Sequence, residues 1–197
     1  MTAGDLVAAL RAGEPWAVDR LYRDHAARVL GWCIRLGGPA LDAEDLAQQV
    51  FETALRTCHR FRGESALSTW LFGLTRNTIR NARRRAALRR FVGLEGLPEP
   101  RDHGPDTEEQ VTLYERRRAV QRALERLGTK PREVLVLADL EGRSAPEVSA
   151  LLGIPPGTVY SRLHNARRAF AAALEAEGLA GRDEPAKSTV IPLRRAP

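Results

Sequence analysis

The 197-residue sequence has only two cysteines and no long apolar segment. Cys33 and Cys58 have no CxxC spacing and no histidine at a zinc-ligand spacing, so neither a disulfide framework nor a structural zinc site is predicted. We expect two buried, unreactive thiols, with a redox switch as the alternative. Because no apolar run reaches the length of a membrane span and the N-terminus lacks a signal-peptide core, we expect a cytoplasmic protein without membrane insertion.

Histidine is scarce as well, and its placement argues against an enzyme. The four histidines are His25, His59, His103 and His164. No two of them share a helix turn, and no pair of carboxylates flanks any of them at a spacing that suits acid-base or metal-assisted hydrolysis. The sequence therefore predicts no catalytic residues, no metal site and no cofactor, and it disfavours a nuclease.

No stretch of the sequence alternates convincingly between apolar and polar residues, as a strand would. Apolar residues instead recur three and four positions apart, as Leu46, Val50 and Leu55 do, which is typical of amphipathic helices. We therefore predict an all-α fold with two small helical domains joined by a flexible linker rich in proline and glycine. The predicted parts are a first domain 1–90, a linker 91–110, a second domain 111–177 and a disordered tail 178–197.

Acidic residues are in the minority. The chain has 31 Lys and Arg against 25 Asp and Glu, a net charge of +6 and a sequence pI of about 10.1, which suits a polyanionic partner. Only two of the basic residues are lysines, and arginine holds phosphates and reads guanine edges better than lysine does. A genome rich in G and C produces the same bias, so the arginine content is weak evidence by itself.

The segment 145–170 has the pattern of a helix-turn-helix. A short helix over 145–152 precedes Gly153, which can adopt the left-handed conformation, and Pro156 can open the next helix. One face of that second helix is expected to pack, through Val159, Leu163, Ala166 and Phe170. The other face is free to read DNA in the major groove, through Gly157, Tyr160, Ser161, His164, Asn165 and Arg168.

Two segments of the first domain have opposite charge. In 61–85, "FRGESALSTWLFGLTRNTIRNARRR", an aromatic Trp70 lies beside an arginine-rich helix and can stack unpaired bases, or it is a core residue. In 39–55, "PALDAEDLAQQVFETAL", four acids occur without any Lys or Arg, which suits contact with a protein rather than with DNA. Capping of a helix N-terminus by Asp42 and Glu44 is the alternative for those two acids.

The order of these segments resembles a known family. "DAEDLAQQVF", "FRGESALSTWLFGLTRN", a loose linker and "REVLVLADLEGRSAPEVSALLGIPPGTVYSRLHNARRAF" together resemble the extracytoplasmic-function (ECF) group of RNA polymerase sigma factors, over about residues 16–174. Members of that group keep only sigma regions 2 and 4. The resemblance implies a protein without catalysis of its own that binds core RNA polymerase, directs it to promoter DNA and helps open the duplex. It also implies control by an anti-sigma factor.

The resemblance assigns candidate roles by position. The acidic helix resembles the docking site for core polymerase, with Asp45, Gln48, Gln49 and Phe51. The segment 61–85 resembles the part that melts and reads the −10 element, with Phe61, Arg62, Ser65, Trp70, Asn77, Arg80, Asn81 and Arg84. The second helix of the helix-turn-helix resembles the reader of the duplex −35 element, with Thr158, Tyr160, Ser161, Arg162, His164, Asn165, Arg167 and Arg168.

Some positions depart from the family pattern. Many relatives have a charged residue where Asn81, Tyr160 and Asn165 stand, which leaves the promoter sequence open. Gly128 and Thr129 replace a Leu-Pro pair, which predicts a loosened helix boundary there. The rival hypothesis is a stand-alone helix-turn-helix regulator that binds duplex DNA through the second domain and uses the first domain for an effector or a dimer contact.

Overall fold

A computed structural model describes residues 3–63, 65–91 and 108–178 of the chain. Within these ranges every regular element is a helix, which confirms the prediction of an all-α fold. Most of the predicted linker, from 92 to 107, and the predicted tail from 179 onward lie outside the described residues. None of the described helices is both long and apolar enough to span a membrane.

The first domain contains four α-helices and one 3₁₀ turn. These elements are α1 (Ala3–Arg11), α2 (Pro15–Gly37), α3 (Ala43–Thr57), the turn Cys58–Arg60 and α4 (Leu67–Phe91). Asp42 caps α3, because its carboxylate accepts hydrogen bonds from the backbone N–H groups of Glu44 and Asp45 at 2.9 and 3.1 Å. The predicted capping role is thus confirmed for Asp42.

Helix α2 lies at the centre of the first domain and packs against α1, α3 and α4. Its Trp32 meets Phe72 of α4 edge to face, with ring centroids 5.2 Å apart, and both rings are buried. Val50 of α3 and Leu71 of α4 are fully buried in the same core. Each such side chain contributes roughly 1.5 to 3 kcal/mol on burial, so apolar packing fixes the acidic helix α3 and the arginine-rich helix α4 relative to one another.

Both cysteines are buried and form no disulfide. Burial raises the pKa of the Cys33 thiol to about 12, so at neutral pH this thiol carries almost no thiolate, the reactive form. The expectation of buried thiols is confirmed. The raised pKa of Cys33 makes its thiol a poor candidate for the alternative, a redox switch.

The second domain follows with four more α-helices. They are α5 (Glu108–Arg126), α6 (Thr129–Leu135), α7 (Ala145–Leu152) and α8 (Pro156–Ala176), and the π-helical residues Val136–Leu140 continue α6. Gly128 precedes α6 without offering a side-chain cap, and the loosened helix boundary stays a prediction. At the far end, Glu177 pairs with Arg122 and Arg126 at 2.6 and 2.8 Å, which ties the end of α8 to α5.

Helices α7 and α8 form the predicted helix-turn-helix, with α7 and the start of α8 at the predicted positions and α8 extending to Ala176. Ser144 and Glu147 make a capping box at the start of α7, in which each side chain bonds the backbone N–H of the other. Gly153 ends α7 with φ 65° and ψ 40°, a left-handed conformation that residues with a Cβ adopt at a cost. This glycine sets the angle at which α8 leaves the turn.

The two domains pack against each other, and their buried apolar side chains form one connected core. Glu133 of α6 pairs with Arg76 of α4 at 2.8 Å. Glu141, which follows the π segment, lies 3.4 Å from Arg35 and 3.7 Å from Arg28 of α2. We call this packing, with its two acid-centred contacts, the docked arrangement. The domain limits of the sequence analysis stay predictions, with α4 running to Phe91 and α5 starting at Glu108.

The turn glycine can be tested against a glycine inside a helix. Neither Gly153 nor Gly157 has any atom within 4 Å of an added Cβ, so the two differ mainly in their backbone conformation. We expect Gly153→Ala to lower the free energy of unfolding by about 1 kcal/mol, because an L-residue is strained at positive φ. Gly157→Ala, in the first turn of α8, should leave it unchanged or raise it by about 0.5 to 1 kcal/mol. Urea unfolding measures both, and equal stability of the two variants would contradict the assigned role of Gly153.

Candidate nucleic-acid interface

Helix α8 presents two distinct faces. Val159 and Ala166 are buried and Leu163 and Phe170 partly buried against the domain, as the spacing predicted. The opposite side, which we call the reading face, consists of Gly157, Tyr160, Ser161, His164, Asn165 and Arg168, and all six are exposed. Donors and acceptors on one open side of the second helix are what major-groove readout requires.

The flanks of α8 are less free than its reading face. Arg167 donates two hydrogen bonds to the carboxylate of Asp139, at 2.9 and 2.6 Å. This hydrogen bonding raises the pKa of Arg167 and holds its guanidinium against the domain. Thr158 and Arg162 are half-buried, so they lie at the edge of the reading face. The pairing of Arg167 has no sequence signal, since Asp139 is 28 positions away.

Four arginines of α4 form what we call the arginine row: Arg76, Arg80, Arg83 and Arg84. Arg80 and Arg84 are exposed, as are Asn77 and Asn81 on the same helix. Arg76 is bound to Glu133, and Arg83 donates to Thr129 and to the backbone carbonyl of Leu36. Half of the row therefore contacts the second domain or α2, and the other half is available to an anion.

The loop before α4 carries the other predicted −10 residues. Arg62 and Ser65 are exposed, whereas Phe61 is only 5% exposed and packs on the half-buried Trp70, with ring centroids 5.5 Å apart. The buried ring of Phe61 thus packs against the inner side of Trp70. Of the two rings, Trp70 is the one exposed to solvent. Arg11 of α1 holds the start of the loop through hydrogen bonds to the carbonyls of Cys58, His59 and Phe61, a role that the sequence did not indicate.

The predicted polymerase-docking helix α3 exposes Asp45 and Gln48, and Gln49 is half-buried and accepts a hydrogen bond from Arg85. Phe51, in contrast, is 2% exposed. Tyr22 of α2 stacks on it with ring centroids 4.2 Å apart and an interplanar angle of 25°, and is itself 37% exposed. The aromatic surface next to the acids is therefore Tyr22, which sequence analysis missed because it belongs to another helix.

In the described ranges 3–63, 65–91 and 108–178, no three His, Cys, Asp or Glu side chains group together as metal ligands would. His164 is exposed on the reading face, and His25 is half-buried with its Nδ1 unpaired. Burial lowers the pKa of His25. The arrangement suits binding of extended polyanions and proteins.

Comparison with known proteins agrees with this geometry. The profile of Sigma-70 region 2 matches residues 21–89, and that of Sigma-70, region 4 matches residues 117–170. The first match covers α3 and most of α2 and α4, and the second covers α6, α7 and most of α5 and α8. Each profile thus lies within one of the two packed domains.

Individual relatives are similar along most of the chain. ECF RNA polymerase sigma factor SigL of Mycobacterium tuberculosis is 34% identical over 88% of this chain and 97% of its own length. SigE of Mycolicibacterium smegmatis is 37% identical over 76% of this chain, which spans 58% of that relative. The solved structure of CnrH in complex with the cytosolic domain of CnrY superposes with a TM-score of 0.60 at 26% identity, covering 87% of this chain and 96% of CnrH. The chain belongs to the ECF RNA polymerase sigma factors.

The capping box of Ser144 and Glu147 at the start of α7 gives a pH-dependent prediction. Hydrogen bonds from the Ser144 hydroxyl and backbone N–H, and then from Arg143, lower the pKa of Glu147 from its ordinary value of 4.5 to about 2. A depressed carboxyl pKa stabilises the folded state above the ordinary value, and this stability is lost as the pH falls towards 2. NMR titration of the Glu147 carboxyl should show a midpoint near 2, which Ser144→Ala raises.

The matched control is Ser161→Ala, since the Ser161 hydroxyl bonds only the carbonyl of Thr158 among the described residues. It should leave the Glu147 midpoint unchanged. A midpoint at the ordinary value in the unaltered protein would show that the capping box does not form in solution.

Proposed function

We propose that this protein binds core RNA polymerase and directs it to promoters, with α8 reading the −35 element and α4 melting and reading the −10 element. The observation that carries the proposal is the reading face of α8, where six small or hydrogen-bonding residues are exposed together on the second helix of a helix-turn-helix. Membership of the ECF sigma factors supports it.

Base readout in the duplex would fall to the residues at the centre of the reading face. Arg168 and Asn165 can each form two hydrogen bonds with a base edge, arginine with guanine and asparagine with adenine. Arg162 and Arg167 stand at the flanks, where phosphates pass. Arg167 must first leave Asp139, and a phosphate can replace that carboxylate as its acceptor.

Strand opening would fall to the first domain. Trp70 offers a half-exposed ring for stacking, worth about 1 to 3 kcal/mol per base, and Arg62 and Arg80 are placed for phosphates. Stacking of this size offsets the few kcal/mol that unstacking a base costs. No nucleotide hydrolysis is needed, and we propose that the protein is not itself an enzyme.

The docked arrangement cannot be the promoter-bound one. The −10 and −35 elements lie about 25 base pairs apart, which is about 85 Å at 3.4 Å per base pair. A compact chain of this length has a diameter of only about 40 Å. The 16 residues between α4 and α5 reach about 55 Å when extended. Promoter recognition therefore requires the two domains to part, with the loss of the Glu133 and Glu141 contacts.

We further propose an anti-sigma factor as a regulatory partner and the cytoplasm as the compartment. CnrH, the 26% identical relative, was solved in complex with the cytosolic domain of CnrY, which supports a partner protein for this chain. The second candidate function, a regulator that binds duplex DNA alone, is favoured only by the open reading face. It leaves the acidic helix α3 without a role.

Transcription in a purified system tests the proposal. The protein is added to core RNA polymerase with a pool of genomic fragments, and the transcript starts are sequenced. We expect starts that depend on the protein and share two spaced upstream elements. Tight binding to duplex DNA alone, without any transcripts, would instead support the stand-alone regulator.

The reading face yields a residue-level prediction. Arg168→Ala should weaken use of the preferred promoter by about 1 to 3 kcal/mol because a bidentate base contact is lost, and His164→Ala should act on the same promoters. Arg117→Ala, which removes an exposed arginine of α5, serves as the control and should have little effect. Promoters with an altered −35 element show the difference, since equal loss on all DNA would indicate a phosphate contact.

The acidic helix α3 also gives a residue-level prediction. Asp45→Arg should weaken association with core polymerase by about 10-fold or more, because it places like charges together in the complex. Asp45 is exposed and its carboxylate has no partner among the described residues, so the fold should be kept. Asp19→Arg changes the net charge equally at an exposed site of α2 and is the control. Unchanged association of Asp45→Arg, measured by biolayer interferometry, would remove α3 from the interface.

A further inference from the structure

A cavity of about 410 Å³ lies between the two domains. Its first wall is α4, with the arginine row and the apolar Ile79, and its second wall is the start of α6, with Lys130, Arg132 and Glu133. Leu36 of α2 completes the floor. A volume of this size is in the range of small-molecule sites, and both domains are needed to form it.

Positive charge exceeds negative charge around this cavity. Six basic side chains line it, against the single carboxylate of Glu133, which is taken by Arg76. Arg80, Arg84 and Lys130 form no hydrogen bond or ion pair with any described residue. Unpaired like charges that converge on one cavity repel each other, and an anion between them removes this repulsion.

Arg132 adds an observation that is independent of the exposed cations. It is only 6% exposed, and its Nε is a buried donor without a partner in the described part of the chain. Its other nitrogens are occupied in part, since one donates to the carbonyls of Glu125 and Leu127. Burial, and then the neighbouring Arg83, lower its pKa. A buried guanidinium with an unsatisfied donor is costly unless an acceptor reaches it.

We propose that the interdomain cavity binds a small anion with two or more linked phosphate groups, such as pyrophosphate or a nucleoside polyphosphate. Lys130 would contact it from the second domain and Arg80 and Arg84 from the first. The lining also includes the apolar side chains of Leu36 and Ile79, which suit the base of a nucleotide. A nucleic-acid strand fits less well, because it extends beyond a cavity of this size between two domains.

Such a ligand contacts both domains and therefore stabilises the docked arrangement by mass action. It also occupies Arg80 and Arg84, which are the same arginines that the −10 strand would use. Competition between the anion and the promoter strand for these arginines rests on the proposed function. Binding of the anion to the cavity does not depend on that function.

Isothermal titration calorimetry on the full chain, in 150 mM salt without magnesium, tests the site with pyrophosphate, ATP, adenosine and orthophosphate. We expect pyrophosphate and ATP to bind with one site per chain and adenosine and orthophosphate to bind at least 10-fold more weakly. Tighter binding of ATP than of pyrophosphate identifies a nucleotide as the ligand, and equal binding identifies a free polyphosphate. No saturation by either probe at millimolar concentration overturns the proposal.

Two variants locate the site without touching the residues assigned to DNA. Lys130→Ala should weaken pyrophosphate binding about 10-fold because a charged contact is lost, and Arg117→Ala, which alters an arginine outside the cavity, should not. Glu141→Arg repels Arg28 and Arg35 and should part the domains, which small-angle scattering detects as a larger radius of gyration. Binding should then fall at least 10-fold, because the second wall moves away.

Binding that survives both variants unchanged would place the anion on the arginine row alone and overturn the proposal. If Glu141→Arg stays docked or does not fold, the surface variant Lys130→Ala decides by itself. Because the titration uses the protein without polymerase, a chain that fails to start transcription still tests the cavity. Conversely, a chain that starts transcription but does not bind pyrophosphate leaves the proposed function intact.

Discussion

Two glutamates of the second domain, Glu133 and Glu141, determine how the two domains lie against each other. Both side chains are largely buried, at 8% and 12% exposure, and both contact arginines of the first domain. Removing a carboxylate from water costs free energy, and attraction to an arginine offsets that cost only when the geometry of the pair is kept. The pairs therefore add little net stability to the packing of the domains. They do make its geometry specific, since a shifted interface leaves two acids buried without partners.

This polar contact differs from the packing within each domain. Within each domain, the helices meet through buried apolar side chains such as Trp32, Phe72 and Val148. Separating those helices would expose apolar surface to water. At the interface the charged pairs of Glu133 and Glu141 separate and water solvates them readily, while the apolar side chains that join the two domains also become exposed. The interior of each domain can thus stay folded while the domains separate, as recognition of two distant promoter elements requires.

Local rules allowed much of the second domain to be predicted from sequence. Proline at the start of α8, glycine at the end of α7 and the three-and-four spacing of Val159 and Ala166 each act within a few residues, so the reading face was correctly separated from the packing face. Contacts between distant residues gave no such signal. Arg76 and Glu133 are 57 positions apart, and Phe51 of α3 is covered by Tyr22, which lies on α2. For this reason the docked arrangement and the cavity it forms were not anticipated.

The ion pair between Asp139 and Arg167 affects how DNA binding should respond to ionic strength. When an arginine neutralises a phosphate, the DNA releases condensed cations, and this release makes affinity fall as salt rises. Arg167, however, leaves behind a bare carboxylate, which attracts a cation from solution as the phosphate loses one. Arg168 forms no such pair among the described residues. Two adjacent arginines on one helix thus differ in the ions they displace, and a phosphate contact by Arg167 adds affinity with little added sensitivity to salt.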